Sequence, residues 1–387
     1  MPQTTSQLPF SMEEYAERVA KVRAGLHERD LDALLVYWPE NIYYLTGYDT
    51  LGYFSYQVLV VPQEGEPFFV VRRIERQNVL DMTWLDQVDL YTDQQDPAEV
   101  TIAALRRRGL AGKRLGVEQD GFFLSIRHYR MLVDAFGTER LLDGSQLINR
   151  LRLVKSEREL DYIRAAARAV AAGAEGAVKA MKVGATENDV AAAMYAAKIR
   201  AGSEYTGHAS LIATGPRASR AFATWSGRTI RQGDPISLEP GACVRRYHAV
   251  IIRSLSMGEP RDPNIRRFAE LSLRGLEDGL GFIKAGVTVH DVDAITKAPA
   301  RRAGYADLMT SRSGYAVGIG YPPDWGEGRT LGVREGDETL LEPNMTFHYM
   351  NNVWYESVMA VGFSETIRVT KSGCEILTSY PRELIVL

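Results

Sequence analysis

Two glutamates stand inside stretches that otherwise predict buried β-strands. Glu239 ends the run PISLE, and Glu365 lies within VGFSETI. Burying a carboxylate without a partner costs several kcal/mol, so each glutamate marks either a reactive site or a structural ion pair. Two carboxylates in one cleft would repel each other, and a bound cation would relieve that repulsion. The sequence therefore nominates Glu239 and Glu365 as catalytic residues, with a structural ion pair as the alternative.

Length and composition limit the class of protein. A chain of 387 residues exceeds one average domain, which favours two domains. The net charge of -3 gives no basic surface for nucleic acid or for an anionic membrane. Two cysteines are too few for a disulfide framework, and no run reaches the roughly 18 apolar residues of a membrane span. We expect a cytoplasmic protein with no nucleic-acid or membrane partner.

The first 152 residues alternate between predicted helices and strands. An amphipathic helix from about Glu13 to Glu28 precedes the strand DALLVYW, and the stretch PENIYYLTG reads as a loop. Further strands follow in YQVLVVP, PFFVV and RLGVEQ. This alternation is typical of an α/β domain with a mixed sheet. We therefore assign residues 1–152 to a first domain.

The second domain, residues 153–387, begins with an Ala-rich helix and contains a repeat. Ser156 and Glu159 form the pattern of a capping box at the start of that helix. The segments KVGATENDV and KAGVTVHDV share Lys, Gly, Thr, Asp and Val in register. In each segment glycine would end one helix and threonine would cap the next. Unrelated helix junctions can produce this pattern, but we favour an internal duplication with a cleft between the two halves.

Nearly the whole chain resembles the creatinase, aminopeptidase P and prolidase family. The resemblance is carried by the stretches NIYYLTGY, RLVKSERELDYIRAA, SLEPGA, SGYAVGIGYPPDW, LEPNMTFHYM and GFSETIRVT. It implies an α/β (α+β) chain in which a mixed-sheet creatinase-like domain precedes a pita-bread domain with internal pseudo-twofold duplication. It also implies a homodimer.

The metal-binding positions of that family are altered in this chain. The resemblance places the five ligands of the metal-dependent peptidases (Asp, Asp, His, Glu and Glu) at Glu239, Val250, Tyr315, Met350 and Glu365. Valine and methionine offer no hard donor to a divalent ion. We therefore expect neither a metal nor another cofactor. Segments such as ATWSGR, VRRYHA and GYPPDWGE resemble the metal-free branch that includes ectoine hydrolase.

Histidines near the cleft are candidates to move protons. The resemblance puts Phe222 where the family has a catalytic histidine. Residues two apart on a strand share a face, so His248 beside Val250 and His348 beside Met350 are predicted to face the cleft. An unperturbed imidazole titrates near pH 6.5, which suits a proton carrier. Histidines that merely pack in the core are the alternative.

Further residues are predicted to line a substrate pocket. Arg246 would bind a substrate carboxylate, although an arginine on a strand edge is more often solvated. His208 would join the cleft or be structural, since the face of its strand is not assigned. The predicted substrate-binding residues are His208, Trp225, Arg246, Tyr315, Tyr321, Trp325 and Met350.

These residues together predict a reaction class. The substrates implied by the resemblance, creatine and ectoine, both join a cationic guanidinium or amidinium to a carboxylate. We predict a metal-independent hydrolase that cleaves a C–N bond in a small zwitterionic cyclic amidine or guanidino acid, with attack by water or by Glu239. The alternatives are a metal-dependent Xaa-Pro peptidase-like hydrolase or a lyase on the same fold, and a non-catalytic pita-bread binding protein.

Overall fold

The structure is a computed structural model that describes residues 8–387. Contacts between residues divide the chain into two compact units, Met1–Arg152 and Leu153–Leu387. Within the described residues, no helix is both long enough and apolar enough to span a membrane.

The first unit is built on one mixed six-stranded sheet. Its strands are β1 (Ala33–Val36), β2 (Val58–Pro62), β3 (Phe68–Arg72), β4 (Val88–Tyr91), β5 (Leu115–Val117) and β6 (Leu141–Asp143), in the order β4-β3-β2-β1-β5-β6. Strand β2 is antiparallel to both of its neighbours, whereas the pairs β1/β5, β5/β6 and β3/β4 are parallel. The helices are α1 (Met12–Glu28), α2 (Pro39–Thr46), α3 (Arg76–Met82), α4 (Pro97–Arg107), α5 (Ile126–Phe136) and α6 (Leu147–Leu153).

Helix α2 corrects one prediction made from the sequence. The stretch PENIYYLTG, predicted as a loop, forms a helix from Pro39 to Thr46. Proline occupies the first turn, where its missing N–H costs no hydrogen bond. Gly47 ends the helix in the left-handed conformation, with φ of 82°. Both end signals are written in the sequence, but the segment is too short for a helical period to be recognised.

The second unit combines four helices with eleven strands. The helices are α7 (Glu157–Ala180), α8 (Glu187–Arg200), α9 (Asn264–Phe282) and α10 (Val289–Arg302). The strands are β7 (Leu211–Thr214), β8 (Pro235–Glu239), β9 (Gly241–Val244), β10 (Tyr247–Val250), β11 (Arg253–Ser256), β12 (Gly314–Ala316), β13 (Gly332–Val333), β14 (Thr346–Tyr355), β15 (Met359–Val369), β16 (Cys374–Ile376) and β17 (Ile385–Val386). They form sheets with the orders β10-β9, β17-β11-β8-β7 and β13-β12-β14-β15-β16.

The two repeated segments occupy matching places in the two halves of this unit. Thr186 caps α8 and accepts a hydrogen bond from the Asp189 backbone, and Thr288 caps α10 in the same way with Asp291. Each threonine also forms an isolated antiparallel bridge, Thr186 to Thr229 and Thr288 to Leu340. Each half therefore consists of a helix pair followed by antiparallel strands, as an internal duplication requires.

Strand alternation places the Glu239 side chain on the face of β8 that points away from the hydrophobic core. The stretch around Glu239 contributes to two antiparallel ladders, β8 with β11 and β9 with β10. Along β8, Ile236 and Leu238 are buried in a core cluster with residues of α7 and α8, whereas Ser237 and Glu239 are only partly buried. Successive side chains of a strand point to opposite faces, so Glu239 points away from this core.

Candidate active site

Glu239 is a carboxylate without a partner. It is only partly buried, and no described residue forms a hydrogen bond or an ion pair with its side chain. The protein atoms around the carboxylate disfavour its charged form, which raises the pKa of Glu239 to about 8. Its cross-strand neighbour is Leu211, which supplies no hydrogen-bond donor from its side chain. Glu239 therefore favours a ligand that brings a positive charge.

Apolar and aromatic side chains pack together beside Glu239. They form one buried cluster, which we call the cleft cluster: Val250, Ile252, Tyr315, Trp325 and Met350. Trp325 reaches this position because Gly241 has no side chain; a Cβ there would lie 2.5 Å from the indole ring. Burial raises the pKa of Tyr315, and the nearby charge of Glu239 raises it further. The surroundings of Glu239 are thus largely apolar and aromatic.

The donor set does not fit the metal ions that the family implies. Three of the predicted ligand positions are Val250, Tyr315 and Met350, all in the cleft cluster. Valine offers no donor, and a thioether is a soft ligand that suits neither magnesium nor manganese. Throughout residues 8–387, no group of three or more His, Cys, Asp or Glu is arranged to hold a metal ion.

Glu365 does not face the cleft, and its position does not support the catalytic role predicted for it. In the β14/β15 ladder, Met350 lies opposite Ser364, whereas Glu365 lies opposite Tyr349. Directly opposite residues share a face, so Ser364 is the residue of β15 on the Met350 side. Glu365 is 1% exposed and pairs with Arg253 at 2.8 Å. The alternative made from the sequence, a buried structural ion pair, describes Glu365.

This ion pair is part of a dense hydrogen-bond network. Arg253 also donates hydrogen bonds to the backbone carbonyls of Ile252, Ser364, Tyr380 and Pro381. Glu365 accepts a hydrogen bond from the Thr378 hydroxyl, and Arg382 lies 3.6 Å from its carboxylate. The network satisfies both buried charges, which is the condition for a buried ion pair to be tolerated.

His348 lies at the cleft, but both of its ring nitrogens are occupied. Nδ1 lies 2.8 Å from the Tyr315 hydroxyl, and Nε2 lies 2.7 Å from the Ser364 hydroxyl. Complete burial lowers the pKa of His348 to about 3, and the charges of Arg312 and Arg253 contribute in the same direction. The imidazole is therefore neutral, and it does not carry protons near neutral pH as the sequence had predicted.

His248 is fully buried on the same face of β10 as Val250. Its Nε2 accepts a hydrogen bond from the Gly207 N–H at 2.9 Å, which leaves the ring proton on Nδ1. Nδ1 is buried and has no hydrogen-bond partner in the part of the chain that the structure describes. Burial and the charge of Arg246 lower the pKa of His248 well below its ordinary value. A proton-transfer role for His248 stays a prediction, and the burial of Nδ1 together with the contact of Nε2 to Gly207 does not favour it.

His208 is the histidine with a nitrogen left for chemistry. Its Nδ1 lies 2.6 Å from the Ala209 carbonyl, which can only accept, so Nδ1 carries the proton and Nε2 has a lone pair. The ring is partly exposed and lies 4.9 Å from the Trp325 ring, between centroids. The sequence nominated His208 for substrate binding, and the structure places it beside the cleft cluster.

Arg246 and Tyr321 are structural, contrary to the prediction that both bind substrate. Arg246 is fully buried and donates to the carbonyls of Tyr205 and Gly320 at 2.9 and 2.6 Å. Its guanidinium lies over the Tyr321 ring, 4.5 Å from the centroid, and Tyr321 itself is 1% exposed. Because both side chains are enclosed by protein, neither reaches a ligand.

Trp225 also lies outside the cleft cluster. Its ring packs edge-on against Tyr195 of α8, with centroids 5.3 Å apart, at the margin of the core beneath β8. This contact holds the segment between β7 and β8 against the helix. The prediction that Trp225 binds substrate is not supported by this position.

The same segment carries Phe222 at its tip. Glu187, which is fully buried, accepts hydrogen bonds from the backbone and hydroxyl groups of Thr214 and Ser226 and pairs with Arg217. The segment is therefore fixed at both ends. Phe222 is 77% exposed with φ of 56°, a conformation uncommon for a bulky residue. Its ring centroid lies 6.1 Å from that of His208, so an aromatic side chain stands at the cleft without a proton to transfer.

Sequence reasoning missed Arg312 and Ser364. The Arg312 guanidinium lies over the Tyr315 ring, 4.7 Å from the centroid, and donates to the Gly328 carbonyl. Burial lowers the pKa of Arg312, and no carboxylate among the described residues forms an ion pair with it. Arg312 stands three residues before Tyr315, so the only available signal was its nearness to a nominated residue. Ser364 is adjacent to Glu365 in sequence, and only the strand register shows that Ser364 is the residue on the Met350 face.

Comparison with known proteins identifies the family. Residues 161–371 match metallopeptidase family M24, and residues 18–154 match the creatinase/prolidase N-terminal domain. The chain is 33% identical to ectoine hydrolase of Halomonas elongata over 98% of each sequence. It is 32% identical to an uncharacterized hydrolase/peptidase of Sinorhizobium fredii, over 98% of this chain and 99% of that one. A prolidase structure from Thermococcus sibiricus matches with a TM-score of 0.88 at 22% identity, covering 98% of this chain and 100% of the other.

Fold and sequence together define a pita-bread protein with a creatinase-type N-terminal domain, and this confirms the predicted fold class and family. The chain belongs to metallopeptidase family M24, and its class is that of the hydrolases of this family. The solved relatives share the fold of this chain.

Proposed function

We propose that this protein hydrolyses a C–N bond in a small cyclic amidine or guanidino acid without a metal ion. The observation that carries the proposal is Glu239, a partnerless carboxylate beside an apolar cluster. A metal would need ligands at Val250 and Met350, where none exist. A substrate cation supplies the missing positive charge, and no other group in the cleft cluster does so.

The cleft cluster favours a flat cation over a compact one. Trp325 and Tyr315 are linked by a 2.8 Å hydrogen bond between the indole N–H and the phenol oxygen, which fixes both rings. Guanidinium and amidinium groups are planar and weakly hydrated, and they bind well against aromatic faces. Their N–H groups would meet the Glu239 carboxylate in a charge-assisted hydrogen bond.

Arg312 replaces Arg246 as the residue for the substrate carboxylate. Its guanidinium flanks Tyr315 and is not neutralised by a protein carboxylate in the described chain. Together with Glu239 it gives the site one group of each sign. A zwitterion with a cationic and an anionic end matches both groups, which supports the amidine or guanidino acid class.

The reaction requires one water and one proton carrier. The water oxygen bonds to the amidine carbon, the π pair of the C=N bond moves to nitrogen, and one water proton passes to His208 Nε2. The C–N bond then breaks and its electron pair stays on nitrogen, which takes that proton. The hydroxyl proton passes to the departing amine as the C=O bond forms, so the products are an ammonium group and an amide, or a urea where the substrate is a guanidino acid. His208 is assigned because its ring is partly exposed beside Trp325 and its Nε2 has a lone pair with no hydrogen-bond partner among the described residues.

One relative supports the proposed hydrolysis of a cyclic amidine. Ectoine hydrolase is the name of a relative 33% identical over nearly the full length of both chains. Ectoine is a cyclic amidine with a carboxylate, so it is the first compound to test. The predicted homodimer and the cytoplasmic location stay predictions.

The proposal is tested by product analysis. Purified protein is incubated with ectoine, hydroxyectoine and creatine in heavy-oxygen water, and the products are examined by mass spectrometry. We expect ring opening or guanidino cleavage with one heavy oxygen in the product, and no turnover by Glu239→Gln. Cleavage without heavy oxygen would mean a lyase, and binding without cleavage would mean a non-catalytic protein. A covalent adduct on Glu239 in protein quenched during turnover would make Glu239, rather than water, the attacking group.

A further inference from the structure

A chain of hydrogen bonds runs from the interior of the second unit to the cleft. The Ile252 N–H donates to the Ser364 hydroxyl oxygen at 2.5 Å, and this hydroxyl lies 2.7 Å from His348 Nε2. His348 Nδ1 lies 2.8 Å from the Tyr315 hydroxyl, which accepts the Trp325 indole N–H at 2.8 Å. Ser364 and His348 are fully buried, and Tyr315 is 8% exposed.

The hydrogens in this chain can be counted. The backbone N–H at one end and the indole N–H at the other only donate. Between them, Ser364 and Tyr315 each have one O–H, and the neutral His348 ring has one N–H. Only two links join these three groups. One of the two hydroxyl hydrogens must therefore point out of the chain.

The energies of the two arrangements differ. If the spare hydrogen were on Ser364, it would have no acceptor among the described residues, since its hydroxyl contacts only Ile252 N and His348 Nε2. Leaving a buried donor unpaired costs about 1–3 kcal/mol. If the spare hydrogen is on Tyr315, it lies at the end of the hydrogen-bond chain, on a residue that is 8% exposed rather than on the fully buried Ser364. The second arrangement therefore pairs every hydrogen of Ser364 and His348 within the hydrogen-bond chain.

We propose that Ser364 donates to His348 Nε2 and His348 Nδ1–H donates to Tyr315, so that the Tyr315 O–H is directed into the cleft as a hydrogen-bond donor. Resting on the proposed function, this donor binds the oxygen that becomes attached to the amidine carbon. It stabilises that oxygen as the C–O bond forms and transfers no proton. Tyr315 is then a catalytic residue, and His348 and Ser364 are its positioning residues.

The donor-to-acceptor direction of the hydrogen bonds from Ser364 through His348 to Tyr315 can be measured without substrate. Nitrogen-15 NMR of the histidine side chains, with the His348 signal assigned through His348→Gln, shows which ring nitrogen bears the proton. We expect the proton on Nδ1, with no change between pH 5 and 9. A proton on Nε2 would overturn the inference even if the protein hydrolyses amidines. Nδ1 protonation in a protein with no amidine hydrolysis would remove the proposed function and leave the direction of the chain supported.

Kinetics test the role of the donor. For Tyr315→Phe we expect kcat to fall on the order of 10²-fold with KM changed by less than about threefold, the effect of removing one preorganised donor. Ser364→Ala leaves His348 Nε2 without its hydrogen-bond partner and should lower kcat, whereas Ser364→Thr should retain both the proton position and the activity. Tyr349→Phe is the matched control, because its buried hydroxyl contacts Thr296 and lies on the other face of β14. Equal kcat in Tyr315→Phe and the wild type would refute the role.

Discussion

Replacing Glu239 by glutamine should make the stability of the protein less dependent on pH. The folded protein raises the pKa of Glu239 to about 8, from an ordinary value of 4.5. Between these two values the folded state binds a proton that the unfolded state has lost. Stability contributed by the protonated carboxyl is therefore complete below pH 4.5 and is lost as the pH rises through 8. A glutamine, which is neutral at every pH, shows no such loss.

The expected change in the free energy of unfolding follows from the pKa difference of Glu239 between the folded and unfolded states. At about 1.4 kcal/mol per pKa unit, the full difference corresponds to roughly 4–5 kcal/mol. Solvent reaches the partly buried carboxylate and reduces this, so we expect Glu239→Gln to gain about 2–4 kcal/mol over the wild type between pH 4 and pH 9. Other ionisable groups are the same in both proteins, so their contributions cancel in the comparison.

Urea unfolding at pH 4, 5, 7 and 9 measures this difference as the free energy of unfolding of variant minus wild type. The exposed residue Glu338 provides the matched control, and Glu338→Gln should differ from the wild type by a constant amount. A constant difference for Glu239→Gln would show that folding does not raise the pKa of Glu239. A variant that loses stability relative to the wild type as pH rises would show that the Glu239 carboxylate has a cationic partner in the free protein.

Three further predictions follow from the same contacts. The value of kcat/KM should rise with pH through about 8, since Glu239 must ionise to pair with a cation, and a profile that falls over this range would contradict that role. Arg253→Met should lower the free energy of unfolding by about 3–5 kcal/mol in urea titrations, because it leaves Glu365 buried without its partner; a loss below 1 kcal/mol would mean that the pair is dispensable. Gly241→Ala should displace Trp325, since the new Cβ would lie 2.5 Å from the indole ring. We expect a change in tryptophan fluorescence and a higher KM. If both stay unchanged, Trp325 does not contribute to substrate binding.

The sequence was sufficient for features that depend on local pattern. Ser156 and Glu159 form the capping box that opens α7, as predicted, because both partners lie within one helical turn. The two glycine and threonine junctions cap α8 and α10 for the same reason. The match of fold class and family rests on such segments spread along the chain.

The sequence was insufficient where the absolute face of a strand decides the outcome. In GFSETIRVT, Ser364 and Glu365 are adjacent, and a shift of one residue exchanges the cleft face for the opposite face. Glu365 was predicted to face the cleft because it carries a carboxylate. The strand register instead places Ser364 opposite Met350. The prediction for Arg246 missed its partners for a different reason. Only the folded structure shows that its guanidinium donates hydrogen bonds to two backbone carbonyls.

We propose that Glu239 and a neutral hydrogen-bond network perform the hydrolysis without a metal ion. The most direct test measures the metal content of the purified protein by elemental analysis and its turnover of ectoine, creatine and Xaa-Pro dipeptides with and without chelator. We predict less than stoichiometric metal and C–N cleavage of an amidine or guanidino acid that survives chelation and is lost in Glu239→Gln. A stoichiometric ion with activity abolished by chelator, or turnover of Xaa-Pro dipeptides alone, would contradict the account.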